Sequence, residues 1–170
     1  MAAGDIKLAY GASGAITQTN LDALASSSTH VAGWESGAID NTSNLYLDYR
    51  ITAVLQVESA SISAGQINMW LVGPTDDTTW PDVFDGTEST ETVTDVNVRD
   101  AICRLAASSD VDTTNSQTYY LSCPSAAAVF GGNLPKKFVI FITQSSGQAL
   151  ESTGDPNQVY VTGVYATVAQ

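Results

Sequence analysis

The chain has 170 residues and a mass of 17.8 kDa, which suits one domain with its own hydrophobic core. Eighteen acidic residues against six Lys and Arg give a net charge of −12. The six cations are scattered, so nucleic acid is not an expected partner, because phosphate binding depends on clustered Lys and Arg. The longest apolar run, Phe138–Ile142, is far shorter than the roughly 20 residues of a membrane-spanning helix, so no membrane contact is predicted.

The first 29 residues predict a short strand and a possible arm. Ile6, Leu8 and Tyr10 alternate with polar or small residues, which is typical of a strand. Residues 20–26 fit either a short helix or an arm that packs on a neighbour. The N-terminal sequence MAAGDIKLAY has no signal-peptide pattern, so we expect synthesis in a cytoplasm.

Residues 30–170 predict a strand-rich domain. A strand over 31–39 and a turn over 40–44 lead into a long strand over 45–58. One face of this long strand is apolar throughout: Leu45, Leu47, Tyr49, Ile51, Ala53, Leu55 and Val57. The opposite face is polar except for Val54, so we expect one buried and one solvent-exposed face. Residues 66–73 alternate in the same way and are predicted to pair antiparallel with 45–58.

The next segment, 75–94, predicts a long polar loop around two aromatic residues, Trp80 and Phe84. Loops of this length in a compact domain usually serve a function. The two aromatics could anchor an interface, or they could pin the loop to its own domain. Six carboxylates surround them: Asp76, Asp77, Asp82, Asp85, Glu88 and Glu91. Carboxylate oxygens suit Ca²⁺, but the spacing is not that of an EF-hand, so no cofactor is predicted and Ca²⁺ binding by residues 76–91 is kept as an alternative to a solvated loop.

The remaining elements complete an all-β pattern. Residues 98–105 fit helical and strand spacing equally, and we favour a strand over 101–107. Further strands are predicted over 117–123, 137–144 and 158–168, with one helical turn that begins at Pro124 and ends at Gly131. About eight strands and few helices predict an antiparallel β-sandwich of jelly-roll type with one or two short helical turns.

Catalytic signatures are missing from the sequence. His30 is the only histidine, and no GxSxG, P-loop or HExxH pattern is present. We therefore predict a protein that is not an enzyme, with no catalytic, cofactor-binding or metal-binding residues. A glycan hydrolase would need paired carboxylates from the 76–91 loop. Cys103 and Cys123 are expected to be free thiols.

Four segments carry a resemblance to a known group of proteins. They are WESGAIDNTSNLYLDYRI (34–51), PDVFDGTESTETVT (81–94), AAAVFGGNLPKKFVIFITQSSGQAL (126–150) and YVTGVYATV (160–168). Together they resemble small virion structural proteins of tailed bacteriophages that have a β-sandwich fold and act as head decoration, or cement, proteins. The resemblance covers the chain from about residue 30 onward.

The resemblance implies a structural protein on the outer surface of the phage capsid. Such a protein would bind the major capsid protein, often as a homotrimer, and stabilise contacts between capsid subunits. The predicted contacts are the N-terminal segment 2–10, with Ile6, Leu8 and Tyr10, and the loop around Trp80 and Phe84. The alternative is a tail or host-recognition β-sandwich module that binds carbohydrate.

Overall fold

The computed structural model describes residues 5–168, and the antiparallel β-sandwich predicted from the sequence is confirmed. The strands are β1 Ile6–Tyr10, β2 Gly14–Ala15, β3 Ala32–Glu35, β4 Ile39–Asp40, β5 Asp48–Gln56, β6 Gly65–Val72, β7 Ser89–Thr92, β8 Arg104–Val111, β9 Thr118–Cys123, β10 Lys137–Gln144 and β11 Gln158–Val168. Two short helices, α1 Val96–Ile102 and α2 Ala126–Val129, complete the described secondary structure.

The strands form two antiparallel sheets. The first sheet has the order β1-β11-β5-β9, with β2 pairing β11 beside β1. The second sheet has the order β7-β3-β10-β6-β8, with β4 also pairing β10. Alternate residues of both sheets point into one core, which includes Trp34, Ile51, Leu55 and Phe138.

The strand order is compatible with jelly-roll connectivity. When the short strands β2 and β4 and the edge strand β7 are left out, eight strands remain. In the first sheet, β1, the first of the eight, pairs with β11, the last, and β5 lies between β11 and β9. In the second sheet, β3 pairs with β10, and β6 lies between β10 and β8. A jelly roll consists of eight strands in two such Greek keys. The jelly-roll type stays an interpretation of this order.

A second hydrophobic cluster covers the outer face of the second sheet. The segment 75–103 runs from β6 through β7 and α1 to β8 and crosses that face. Trp70, Val72, Val139 and Phe141 of the sheet pack there against residues of the crossing segment, among them Phe84, Val93 and Cys103. The outer face of the first sheet has no comparable cover among residues 5–168.

Several local predictions are corrected by the structure. The long strand begins at Asp48, and Leu45 and Leu47 are 73% and 55% exposed because they precede the part of the strand that lies over the core. The strands β5 and β6 do not pair. Instead, β5 lies between β11 and β9, whereas β6 lies between β10 and β8 in the other sheet.

Other corrections concern the helices. Residues 20–23 form turns and 24–26 have no regular structure, and Leu21 and Leu24 are buried in the domain's own core, so this segment is neither a helix nor an arm. The predicted strand over 101–107 begins only at Arg104, because residues Val96–Ile102 form the helix α1. Asp95 caps the start of this helix by accepting a hydrogen bond from the Val98 N–H. The helical turn near residue 126 is capped by Ser125 and not started by Pro124.

Candidate docking surface

The two ends of the described chain form a two-stranded ribbon, which we call the terminal ribbon: β1 paired with residues 164–168 of β11. Ile6 lies opposite Val168, Leu8 opposite Ala166 and Tyr10 opposite Val164. Exposed fractions are 76% for Ile6, 64% for Leu8 and 60% for Tyr10. The structure therefore places the three predicted N-terminal contact residues together, side by side, on one open face. Residues 2–4 of the predicted contact segment lie outside the described residues.

One edge of the terminal ribbon has unpaired backbone. The Gly11 N–H donates to the Gly163 carbonyl oxygen at 2.8 Å, which fixes the hydrogen-bonding phase of the ladder. Since antiparallel ladders alternate, Lys7 and Ala9 bond to β11, and the N–H and C=O groups of Ile6, Leu8 and Tyr10 point away from it. Among residues 5–168, no strand pairs with this edge.

A rigid loop next to the terminal ribbon presents a leucine to solvent. Asn41, which is buried, donates from Nδ2 to the Tyr46 carbonyl oxygen at 2.9 Å and accepts at Oδ1 from the Tyr46 N–H at 2.8 Å. The Leu45 N–H donates to the Asn41 carbonyl oxygen at 3.0 Å. These bonds hold Leu45 at a φ of 50°, in the left-handed region that leucine rarely adopts.

Three clefts border Tyr46. One, of about 410 Å³, lies between Leu45 and the segment Leu134–Lys136. A second, of about 540 Å³, lies between the Leu45–Leu47 loop and Tyr165 of the terminal ribbon. Another, of about 480 Å³, opens between β2 and β4, where the two sheets separate, and is lined by Ile39, Tyr49 and Val161. Tyr46 packs edge-on against Tyr49 with ring centroids 5.3 Å apart. The loop therefore borders three open depressions and is held by packing as well as by hydrogen bonds.

Charge is distributed unevenly over the molecule. The strands of the first sheet contain only three charged residues, Lys7, Asp48 and Arg50. Residues 75–112, which include the cover of the second sheet, contain ten of the eighteen acidic residues and only Arg99 and Arg104 as cations. One side of the sandwich is thus nearly uncharged and carries exposed apolar residues, and the other side is strongly acidic.

The predicted loop anchors occupy different environments. Phe84 is 3% exposed and packs edge-on against Phe141 with ring centroids 5.2 Å apart. The prediction that Phe84 anchors an interface is therefore corrected, because its ring is used inside the second cluster. Trp80 is partly buried and packs against the same cluster. Its role as a contact residue stays a prediction.

The acidic loop uses its carboxylates to bond its own backbone. Asp76 accepts hydrogen bonds from the N–H groups of Thr78 and Thr79, at 2.7 and 2.6 Å, and these bonds lower the pKa of Asp76 to about 2. Asp82 accepts from the Thr94 N–H and hydroxyl. Within residues 5–168, no three His, Cys, Asp or Glu side chains converge as a metal site. Ca²⁺ binding therefore receives no support from this arrangement.

Two other titratable groups, Glu35 and Cys103, are buried, and His30 is half-buried. His30 bonds to the Thr143 hydroxyl at 3.0 Å, and burial lowers its pKa. Burial raises the pKa of the Cys103 thiol to about 12, and both cysteines are free, as predicted. Glu35 is fully buried, and burial raises its pKa to about 7. Its Oε1 accepts from the Gly86 N–H at 2.8 Å, whereas Oε2 has no hydrogen-bond partner.

Sequence reasoning missed three exposed residues. Leu45 and Leu47 were assigned to the buried face of a strand, and Tyr120, which is 71% exposed on the outer face of the first sheet, was not considered. The turn-forming residues Asp40–Asn44 were a usable signal for Leu45, because a strand that follows a tight turn need not lie over the core from its first residue.

Comparisons with known proteins add no family. Neither a scan against protein-family models nor a search of curated proteins gave a match. In the part of the chain from residue 5 to residue 168, neither helix has the length and apolar character needed to cross a membrane.

Proposed function

We propose that the protein is a structural virion protein that binds the outer surface of a phage head and stabilises contacts between major capsid subunits. The observation that carries this proposal is the two-sided surface, with a nearly uncharged apolar side formed by the first sheet and an acidic side formed by residues 75–112. In this arrangement the first sheet faces the capsid and the acidic side faces solvent. Like-charge repulsion between the acidic sides also keeps neighbouring heads apart.

The exposed apolar area fits a protein contact. Five apolar residues on the outer face of the first sheet are 58% to 76% exposed: Ile6, Leu8, Tyr10, Tyr120 and Val168. At about 200 Å² for each fully exposed residue, they present roughly 650 Å². Tyr165 lies on the opposite face of the terminal ribbon, since it pairs with Ala9. One partner in a specific protein interface typically buries about 800 Å². Repeated attachment around a closed shell would add to the affinity of each contact through multivalency.

The fold is suited to such a passive role. The strand order supports the jelly-roll interpretation, an architecture found in viral capsid proteins and lectins. Turnover has no part in the proposal, because the ionisable groups with raised or lowered pKa values are used within the fold: Glu35 bonds the Gly86 N–H, His30 bonds the Thr143 hydroxyl, and Cys103 packs in the second cluster. Cofactors have no part in it either. The major capsid protein is the proposed partner, and the homotrimer remains an implication of the resemblance.

A co-sedimentation experiment tests the proposal. Heads of the encoding phage that lack this protein are mixed with the purified chain, and bound protein is measured per capsid subunit. We expect near-stoichiometric binding, and we expect Tyr120→Glu, which adds a charge to the outer face of the first sheet, to weaken it. The matched variant Thr87→Glu adds the same charge to the exposed acidic side and should bind like wild type. Binding of only a few copies per head, or equal effects of both variants, would reject the proposed orientation and location.

The alternative, a carbohydrate-binding tail or host-recognition module, has one observation in its favour. Tyr120 and Tyr160 share the outer face of the first sheet, since they lie opposite Val54 and Thr52 of β5. Exposed aromatic rings can stack on sugars, and neighbouring polar groups such as Gln158 can orient them. A glycan array separates the two functions: specific hits that disappear in Tyr120→Ala would favour the alternative, and an array without hits would remove it.

A further inference from the structure

We infer that the free edge of β1 pairs with the same edge of a second copy of this chain, so that the two first sheets join into one continuous sheet across a two-fold axis. The inference concerns the protein in solution and does not depend on the proposed capsid contact. It begins from the backbone of Ile6, Leu8 and Tyr10, whose N–H and C=O groups point away from β11. These six polar groups are the hydrogen-bonding capacity of the edge.

The edge is complementary to itself. When two β1 strands run antiparallel with Leu8 opposite Leu8 of the second copy, Ile6 lies opposite Tyr10 and Tyr10 opposite Ile6. All three positions have outward-pointing backbone groups, so each opposed pair exchanges two hydrogen bonds and all six groups of each strand are used. An edge that matches itself in this way closes at two copies, as expected for an isologous contact.

The side chains also match in this register. Ile6, Leu8 and Tyr10 lie on the outer face of the sheet, so the contact places an aliphatic residue beside a tyrosine twice and two leucines together at the centre. Apolar cross-strand pairs of this kind each contribute roughly 0.2–1 kcal/mol relative to alanine. The two Lys7 side chains are diagonal neighbours on the opposite face, and both are exposed, so their charges extend into water.

Electrostatics favours this edge for a contact between two chains of charge −12. Asp5, which directly precedes β1, and Lys7 are the charged residues between residues 5 and 21, so this segment has no net charge, and no acidic residue occurs between Gln158 and Val168. Charges separated by more than about 10 Å are largely screened at ordinary salt, so the acidic side of each copy contributes little repulsion at this edge. The edge strand β7 of the second sheet, by contrast, has the sequence STET and contains Glu91.

Edge strands of natural proteins are usually protected. Proline, bulges, inward-pointing charges or a covering segment prevent unwanted pairing, and long apolar edges without them aggregate. Within β1 the sequence IKLAY offers only Lys7 as such a device. Pairing with a second copy gives every outward-pointing N–H and C=O group of β1 a hydrogen-bond partner. It also leaves the outer faces of both first sheets on the same side, since opposed residues of an antiparallel pair share a face.

The molecular mass of the protein in solution and the trapping of a disulfide between two copies test the inference. Light scattering with size-exclusion chromatography, at concentrations up to about 100 µM, should give twice the chain mass of 17.8 kDa. Leu8→Pro should give the single-chain mass and still unfold cooperatively on heating, because the lost N–H points outward and proline is tolerated at such edge positions. A single-chain mass for wild type, a threefold mass, or an unchanged mass for Leu8→Pro would overturn the inference.

A cysteine pair fixes the register. In Leu8→Cys, the two new cysteines would face each other with Cα atoms about 5.5 Å apart, within disulfide range. We expect rapid oxidation to a covalent dimer on a non-reducing gel. The matched variant Lys7→Cys puts its cysteines in diagonal positions more than about 7 Å apart, too far for a disulfide. The native thiols are buried in both variants. Equal cross-linking of the two variants, or none in Leu8→Cys, would contradict the register and the inference with it.

Discussion

Replacing the buried carboxylate of Glu35 by an amide should make the protein more stable at neutral and alkaline pH. The Glu35 side chain is fully buried on β3, with Oε1 bonded to the Gly86 and Asp85 N–H groups and Oε2 without a partner. Burial is the main cause that raises its pKa from 4.5 to about 7, and the negative charges of Asp85 and Glu91 add to it. The ionised form is therefore the unfavourable form in the folded state.

The magnitude follows from linkage. Between pH 4.5 and 7 the folded protein holds a proton on Glu35 that the unfolded chain has released, so the free energy of unfolding falls as the pH rises through this range. The total loss is about 3 kcal/mol and is complete above pH 7. Glu35→Gln keeps the shape and the acceptor for the Gly86 N–H but cannot ionise. We expect it to be more stable than wild type by up to about 3 kcal/mol at pH 8 and about equal to it at pH 5.

Urea unfolding followed by tryptophan fluorescence between pH 5 and 8 measures this difference. The control is Glu58→Gln, a change of the same kind at a partly exposed position, which should shift the free energy of unfolding by no more than about 0.5 kcal/mol at any pH. Parallel curves for wild type and Glu35→Gln, or a Glu35→Gln protein that is less stable at pH 8, would refute the reasoning. The second result would mean that the new amide N–H₂ group finds no acceptor in the position of Oε2.

Three further expectations come from single side chains. Phe84→Ala should lower the free energy of unfolding by about 3–4 kcal/mol, because it removes a buried ring, whereas Tyr120→Ala should change it by less than about 0.5 kcal/mol in the same denaturation assay. Leu45→Asn should stabilise by about 0.5–1 kcal/mol, because asparagine tolerates the left-handed backbone, and Leu47→Asn should not; equal thermal shifts would argue against strain at Leu45. The Cys103 thiol should resist iodoacetamide at pH 8 until the protein unfolds, and rapid alkylation of the native protein would show that its burial is incomplete.

Local patterns predicted which residues form strands, but not where the strands lie. The alternation from Tyr49 to Val57 gave the buried face correctly, because a period of two follows directly from strand geometry. The same alternation continues to Leu45 and does not reveal where the core ends. The pairing of β5 with β6 was wrong because adjacent strands in a sandwich can belong to different sheets, and alternation within a strand does not specify its neighbours.

The burial of Phe84 could be predicted only from a distant segment of the sequence. The run Phe138–Ile142 is apolar without alternation and is buried on both faces, which is the pattern of a strand covered on two sides. This pattern is a signal, not used in the sequence analysis, for a layer outside the second sheet, and a loop with two aromatic residues is a suitable segment to supply it. The edge of β1, by contrast, was correctly predicted as a strand, but its hydrogen-bonding phase becomes visible only with the register to β11.

The layer formed by residues 75–103 should open before the rest of the domain. Most of its residues pack on the outside of the second sheet, whereas the main core lies between the sheets, so opening of the layer would break the pairing of β7 with β3 and leave the main core in place. Amide hydrogen exchange should therefore be faster in α1 than in β10, and a destabilised layer should leave the exchange of β10 little changed. Detachment would expose Trp70 and Phe141 to water, so the strength of this layer sets how often an otherwise intact molecule displays an adhesive surface.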